Sequence, residues 1–161
     1  MLKTIERFVT GIMEYIGMTL LVLMTMVTCY AVFTRYFLAF SPGWAEETAL
    51  TCMVWFGFLA MAIGVSEDLH IGITILDMYM SEQTKHCMDI FKYVAIAAFS
   101  VILVSEGWTM TEIGMDNIMP GLGLPSGVLY AVIPLAGLAM IAYSLVAIIR
   151  LFETRKKGAA Q

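Results

Sequence analysis

Few side chains in this chain are equipped for chemistry, and most stand in or beside long apolar runs. Glu14 lies in the first run, one or two helical turns beyond Arg7. A carboxylate inside a first membrane helix can exchange protons and cations, as the working group of a small four-helix multidrug antiporter does. The same carboxylate, so close to Arg7, can also reach the interface as an ordinary polar contact. Arg35, Glu46 and Glu47 form a second constellation. A short turn brings the end holding Arg35 against the start of the next run, so an Arg–Glu pair is easy to form. It reads either as an interfacial salt bridge of small energy or as a set of contacts to a partner subunit. His70 and His86 lie near the ends of apolar runs, where two axial haem ligands facing each other inside a bundle are not expected. Cys29, Cys52 and Cys87 are far apart and form no CxxC pair or zinc-spaced cluster. They read as small apolar packing residues. No nucleophile, base and oxyanion set can be assembled, so an enzyme finds no support, and no cofactor or metal is expected.

The elements that position these residues are dictated by hydropathy. Of 161 residues, 60% are hydrophobic and only 14% charged, and the mean hydropathy is +0.85. Four stretches reach the roughly 20 apolar residues that a bilayer-crossing helix needs. The expected fold class is all-α integral membrane: one transmembrane domain over 1–161 with four spans at 11–37, 44–66, 86–110 and 126–150. These spans leave no room for a catalytic domain with its own core. The run after Lys3 and Arg7 extends to Phe33, too long for a signal-peptide core of about 7–15 residues, and is read as the first helix. A net charge of −4 without a basic stripe outside the C-terminal tail excludes a nucleic-acid partner. The lipid bilayer is the partner the composition demands.

Lys and Arg orient the chain. Lys3 and Arg7 precede the first span, Lys85 lies in the connection after the second with Lys92 nearby, and Arg150, Arg155, Lys156 and Lys157 stand at and beyond the end of the fourth. At the outer end of span one there is only Arg35, and between spans three and four no basic residue. The positive-inside rule places both termini and the central connection in the cytoplasm. Ser41 is expected to cap the second helix with Pro42 at its first position, and Glu46 and Glu47 then meet the positive end of the helix dipole. Ala60-x-x-x-Gly64 offers a small-xxx-small contact. Over 70–80, Ile71, Ile75, Leu76 and Tyr79 recur near helical spacing, which predicts a short amphipathic interfacial helix between helices two and three. Ser81 with Glu82 can cap the third helix, and Lys92 is expected to snorkel outward. Trp44 and Trp108 fit an aromatic belt at the outer boundary, whereas Trp55 lies deeper and packs against a helix. The connection from Glu112 to Pro125 is turn-rich and mildly acidic.

Taken together, Arg35-Tyr36-Phe37, Trp44-Ala45-Glu46-Glu47, Val54-Trp55-Phe56-x-Phe58 and His70-Ile71-x-Ile73 form an ordered pattern. Leu122-Gly123-Leu124-Pro125 and Tyr130-Ala131-x-x-Pro134 follow it. Over residues 10–150 this pattern resembles the small membrane subunit of tripartite ATP-independent periplasmic (TRAP) transporters, the DctQ-like family. Two departures fall on helix two: Leu50 stands where members often carry a basic residue, and Ala60 where they often carry Gly. The resemblance implies a subunit of a sodium-driven, binding-protein-dependent secondary transporter in a bacterial or archaeal inner membrane. Its solute would bear a carboxylate, of the sugar-acid or C4-dicarboxylate class. The implied partners are a large membrane subunit working by an elevator motion, which carries the sodium coupling, and a periplasmic substrate-binding protein. The small subunit would extend the static scaffold and help dock the binding protein. Arg35, Trp44, Glu46, Glu47, Trp55 and His70 are the expected partner-interface residues. The alternatives are a proton-coupled multidrug antiporter using Glu14, or the membrane anchor of a redox complex.

Overall fold

In lipid, a backbone N–H or C=O has no water to bond, so each apolar run must close its own i→i−4 ladder. A computed structural model describes residues 2–67 and 82–158 of the chain. The helices are α1 (Leu2–Phe37), α2 (Gly43–Ser66), α3 (Glu82–Met115), a single turn α4 (Gly127–Tyr130) and α5 (Val132–Gly158). Four stretches are long and apolar enough to cross a membrane: Arg7–Phe37, Gly43–Ser66, Met88–Met115 and Gly127–Ile149. The last combines α4 and α5. Ala131 between them keeps helical dihedrals (φ −57°, ψ −25°), and Pro134 lacks the N–H that Tyr130 would accept one turn back. No β-strand forms among the described residues; Ile118 and Pro125 make one isolated antiparallel bridge. We call the end carrying the 38–42 and 116–126 connections the outer end, after the orientation expected from charge.

Three local expectations are corrected. Ser41 does not cap α2; Pro42 holds the cap position in extended conformation (φ −73°, ψ 117°) and its carbonyl accepts the Ala45 N–H at 3.1 Å. The first turn therefore starts one residue later. Among the described residues, Ala60 and Gly64 make no close contact with another helix of this chain: Ala60 is exposed, and a Cβ built on Gly64 would meet nothing within 4 Å. Lys92 is covered rather than free to extend into solvent. Its side chain is only 8% exposed, with Nζ 3.4 Å from Asp89 Oδ1 and 4.5 Å from the Tyr93 ring centroid. A carboxylate one turn away and a ring face together offer the ammonium a local partner. The predicted helix at 70–80, its neighbour Ser81 and the interface candidate His70 lie outside the described residues.

The helices are arranged as an open row. α2 packs against α1 on one side and α5 on the other, and α3 packs against α5. Of the most apolar stretch of each span, 44% is buried in the last helix but only 11% in α1 and in α3. The core sits where α1, α2 and α5 meet: Met13, Leu59, Ala62, Val65, Val132, Ala136, Met140 and Tyr143. At its inner edge a polar knot ties the three helices. Thr10 Oγ1 lies 3.0 Å from Ser66 Oγ and 3.1 Å from Tyr143 Oη, and Tyr143 Oη donates to Met13 Sδ at 3.7 Å. Such hydroxyl pairs between membrane helices are worth about 0.5–2 kcal/mol each.

The α3–α5 contact rests on small residues. Ser100, Gly107 and Gly114 recur every seven positions on α3, which keeps them on one seam of a slightly supercoiled pair. A Cβ at Gly107 would come within 2.7 Å of the Ile133 side chain, and one at Gly114 within 2.7 Å of the Gly127 backbone N. Gly137 of α5 faces Val104 and Ser100 in the same way. This close approach supplies the dispersion contact that holds α3 in place.

Candidate functional site

The candidate residues gather at the outer end, and the structure separates them into two groups. Glu47 and Trp55 face inward. One Glu47 oxygen accepts the Gly121 N–H at 3.0 Å and the other accepts the Leu122 N–H at 2.7 Å. Two turns further along α2, the Trp55 indole N–H donates to the Val128 carbonyl at 3.0 Å. A carboxylate accepting two backbone donors makes charge-assisted bonds, stronger than neutral ones, and the first turn of α2 adds its own positive dipole. Together these two side chains clamp the segment that leads from α3 into the last helix.

The clamp works because that segment is itself built. Met119 N–H donates to Leu124 O at 2.9 Å, Gly123 N–H to Met119 O at 2.8 Å, and Ser126 N–H to Asn117 O at 2.7 Å. Ser126 Oγ donates to Gly114 O at 3.1 Å, stitching the segment to the end of α3. Gly123 takes a left-handed conformation (φ +68°), which costs glycine nothing. Gly121 lies so close to the start of α2 that an added Cβ would fall 2.5 Å from the Gly43 carbonyl carbon. Only a residue without a side chain lets Glu47 reach both amides.

The second group faces outward. Arg35, Glu46 and Trp44 are exposed, and Trp44 stacks on Tyr30 with centroids 5.6 Å apart and planes at 30°. The expected Arg35–Glu salt bridge does not form: no described ion pair joins Arg35 to either glutamate, because Glu47 is turned onto the backbone of 121–122. Glu14 is exposed on α1 beside a groove shared with α2. Of the two described cysteine side chains, Cys52 is buried and Cys29 exposed; both are unbridged.

Reading the sequence alone missed three structural positions: Gly121, the Thr10–Ser66–Tyr143 knot and the α3 seam. The seam had a signal, the seven-residue recurrence of Ser100, Gly107 and Gly114. The knot had none, since its members are 56 and 133 residues apart in the chain.

An open row of four helices long and apolar enough to cross a membrane, clamped at one end and carrying no broken helix at mid-depth among its described residues, defines a multi-pass membrane protein. The model of the family described as tripartite ATP-independent periplasmic transporters, DctQ component, matches residues 24–154. The chain belongs to that family, a family of transporter subunits rather than of enzymes. It is also similar to a protein of Haemophilus influenzae named as a TRAP transporter small permease, with 21% identity over 154 residues, covering 96% of this chain and 94% of the relative. Family membership displaces both the multidrug antiporter and the redox anchor.

Proposed function

We propose that this small permease subunit extends the static frame of a large, elevator-type membrane subunit in a sodium-driven uptake system of the bacterial or archaeal inner membrane. A periplasmic binding protein would deliver the solute, a carboxylate-bearing sugar acid or C4-dicarboxylate. The observation that carries the reading is the open row of helices. A chain that transports alone needs an enclosed or hinged polar pathway, whereas this one buries its core on a single line and leaves long apolar faces of α1 and α3 uncovered. A frame has that shape.

The site residues take distinct parts in this reading. Glu47 and Trp55 hold the outer connection rigid. Arg35, Trp44 and Glu46 remain outward, available to the large subunit or the binding protein, and His70 stays a candidate on sequence grounds. Replacing Trp44, Glu47 and Trp55 together would confuse assembly with folding, because two of the three bind the chain to itself. The discriminating experiment is gentle purification of a C-terminally tagged chain from native membranes. Co-purification of one much larger polytopic protein in fixed ratio is expected. A homodimer without companions would refute the frame reading. Sodium-dependent uptake of candidate acids by the reconstituted complex tests the solute class.

A further inference from the structure

α1 and α2 part on one side to leave a groove of ≈ 240 Å³ lined by Glu14, Gly17, Met18, Phe56, Ala60 and Ile63. Five of these are apolar or lack a side chain, and Glu14 is the exception. Its depth follows from the knot beside it. Thr10 is level with Ser66, the last residue of α2, and Glu14 lies one helical turn, about 6 Å, further into the membrane segment. Glu14 is exposed and makes no hydrogen bond or ion pair within the described residues. A carboxylate at that depth, on the flank of a membrane helix, is costly unless a cation meets it. On α2 the groove continues along small residues: a Cβ at Gly57 or Gly64 would meet nothing within 4 Å. Bare backbone of this kind lets another helix approach closely.

We propose that this groove seats a transmembrane helix of the large subunit, and that the helix carries a Lys or Arg that pairs with Glu14. The inference rests on the large-subunit reading above and deepens it by naming the surface and the chemistry. Charge complementarity selects the occupant: an apolar helix without a cation would bury Glu14 unpaired, which is strongly unfavourable.

The test uses the chain co-expressed with its large subunit. A photo-crosslinking residue at Met18 should capture the large subunit, and the same residue at Val101 on the exposed face of α3 should not. Glu14→Lys should lower co-purified large subunit by about tenfold or more, the scale of an uncompensated like charge, while Glu14→Asp keeps it. Ala60→Leu fills the groove from an exposed position, so it should block assembly while leaving the thermal melt of the isolated chain unchanged. Capture from Val101 alone, with assembly indifferent to Glu14→Lys, would overturn the groove yet leave the large-subunit reading standing. Capture at Met18 of a second copy, of lipid only, or of nothing while the complex stays intact would overturn the assigned occupant. Absence of any large companion of the unmodified chain would overturn both.

Discussion

Glu47 shows how one side chain settles a boundary between helices. Its type and position announce a helix N-terminus, and a carboxylate there is favoured by the dipole. What it bonds, however, is the backbone of residues 121 and 122, some 74 and 75 positions away. Glu47→Ala should leave those two amides without their acceptors and destabilise the outer connection by about 1–3 kcal/mol. Hydrogen exchange at Gly121 and Leu122 reads this directly, and both amides should lose protection while the middle of α2 keeps it. Ala39 gives a prediction of opposite sign. It sits just past α1 at φ 49°, in the left-handed region where a Cβ is strained and glycine is the usual choice. Ala39→Gly should stabilise the chain by about 0.5–1 kcal/mol, seen as a raised melting temperature in detergent; a lowered one would mean that glycine's extra unfolded-state entropy outweighs the strain.

Among elements, glycines divide by what stands opposite them. Gly114 faces the backbone of Gly127, which cannot rotate away. Gly114→Ala should push α3 off the last helix and cost about 1–3 kcal/mol. In the isolated chain, Gly64→Ala meets open space and should be neutral or stabilising by up to about 1 kcal/mol through helix propensity. Thermal unfolding of the two purified variants checks both signs. The pattern that looked like a contact, Ala60-x-x-x-Gly64, and the one that is a contact, Ser100-x₆-Gly107-x₆-Gly114, contain similar residues. Periodicity shows that small residues share a stripe; it does not show what lies across from the stripe.

At the scale of the whole molecule, the row of helices explains why so much apolar surface remains uncovered. Phe33, Tyr36 and Phe37 at the outer end of α1, Phe40 just beyond it, and Phe91, Val101, Ile102 and Ile113 along α3 are exposed large side chains. Lipid covers such faces without penalty, and a partner helix can replace that lipid. The orientation expected from the basic residues is tested independently of any partner. A periplasm-active reporter such as alkaline phosphatase fused within 116–126 should be active, and one fused after Lys157 inactive. The reverse pattern would place the clamp in the cytoplasm and remove it from any contact with a binding protein.

The order of residues along the chain is enough to count the membrane helices and to name the class of protein. Each is a one-dimensional property: bilayer thickness sets how many consecutive apolar residues are needed, and a backbone in lipid has no alternative to the helix. It also carried the family pattern, because that pattern is an order of residue types along the chain. Which helices are neighbours, that Glu47 binds backbone rather than Arg35, and that Lys92 is covered emerge from packing in three dimensions. In water, a helix declares its buried face by contrast with a polar one. Here α2 is apolar nearly all round, so lipid-facing and protein-facing sides look alike in sequence. Packing between particular small residues, unmarked by hydropathy, makes the choice.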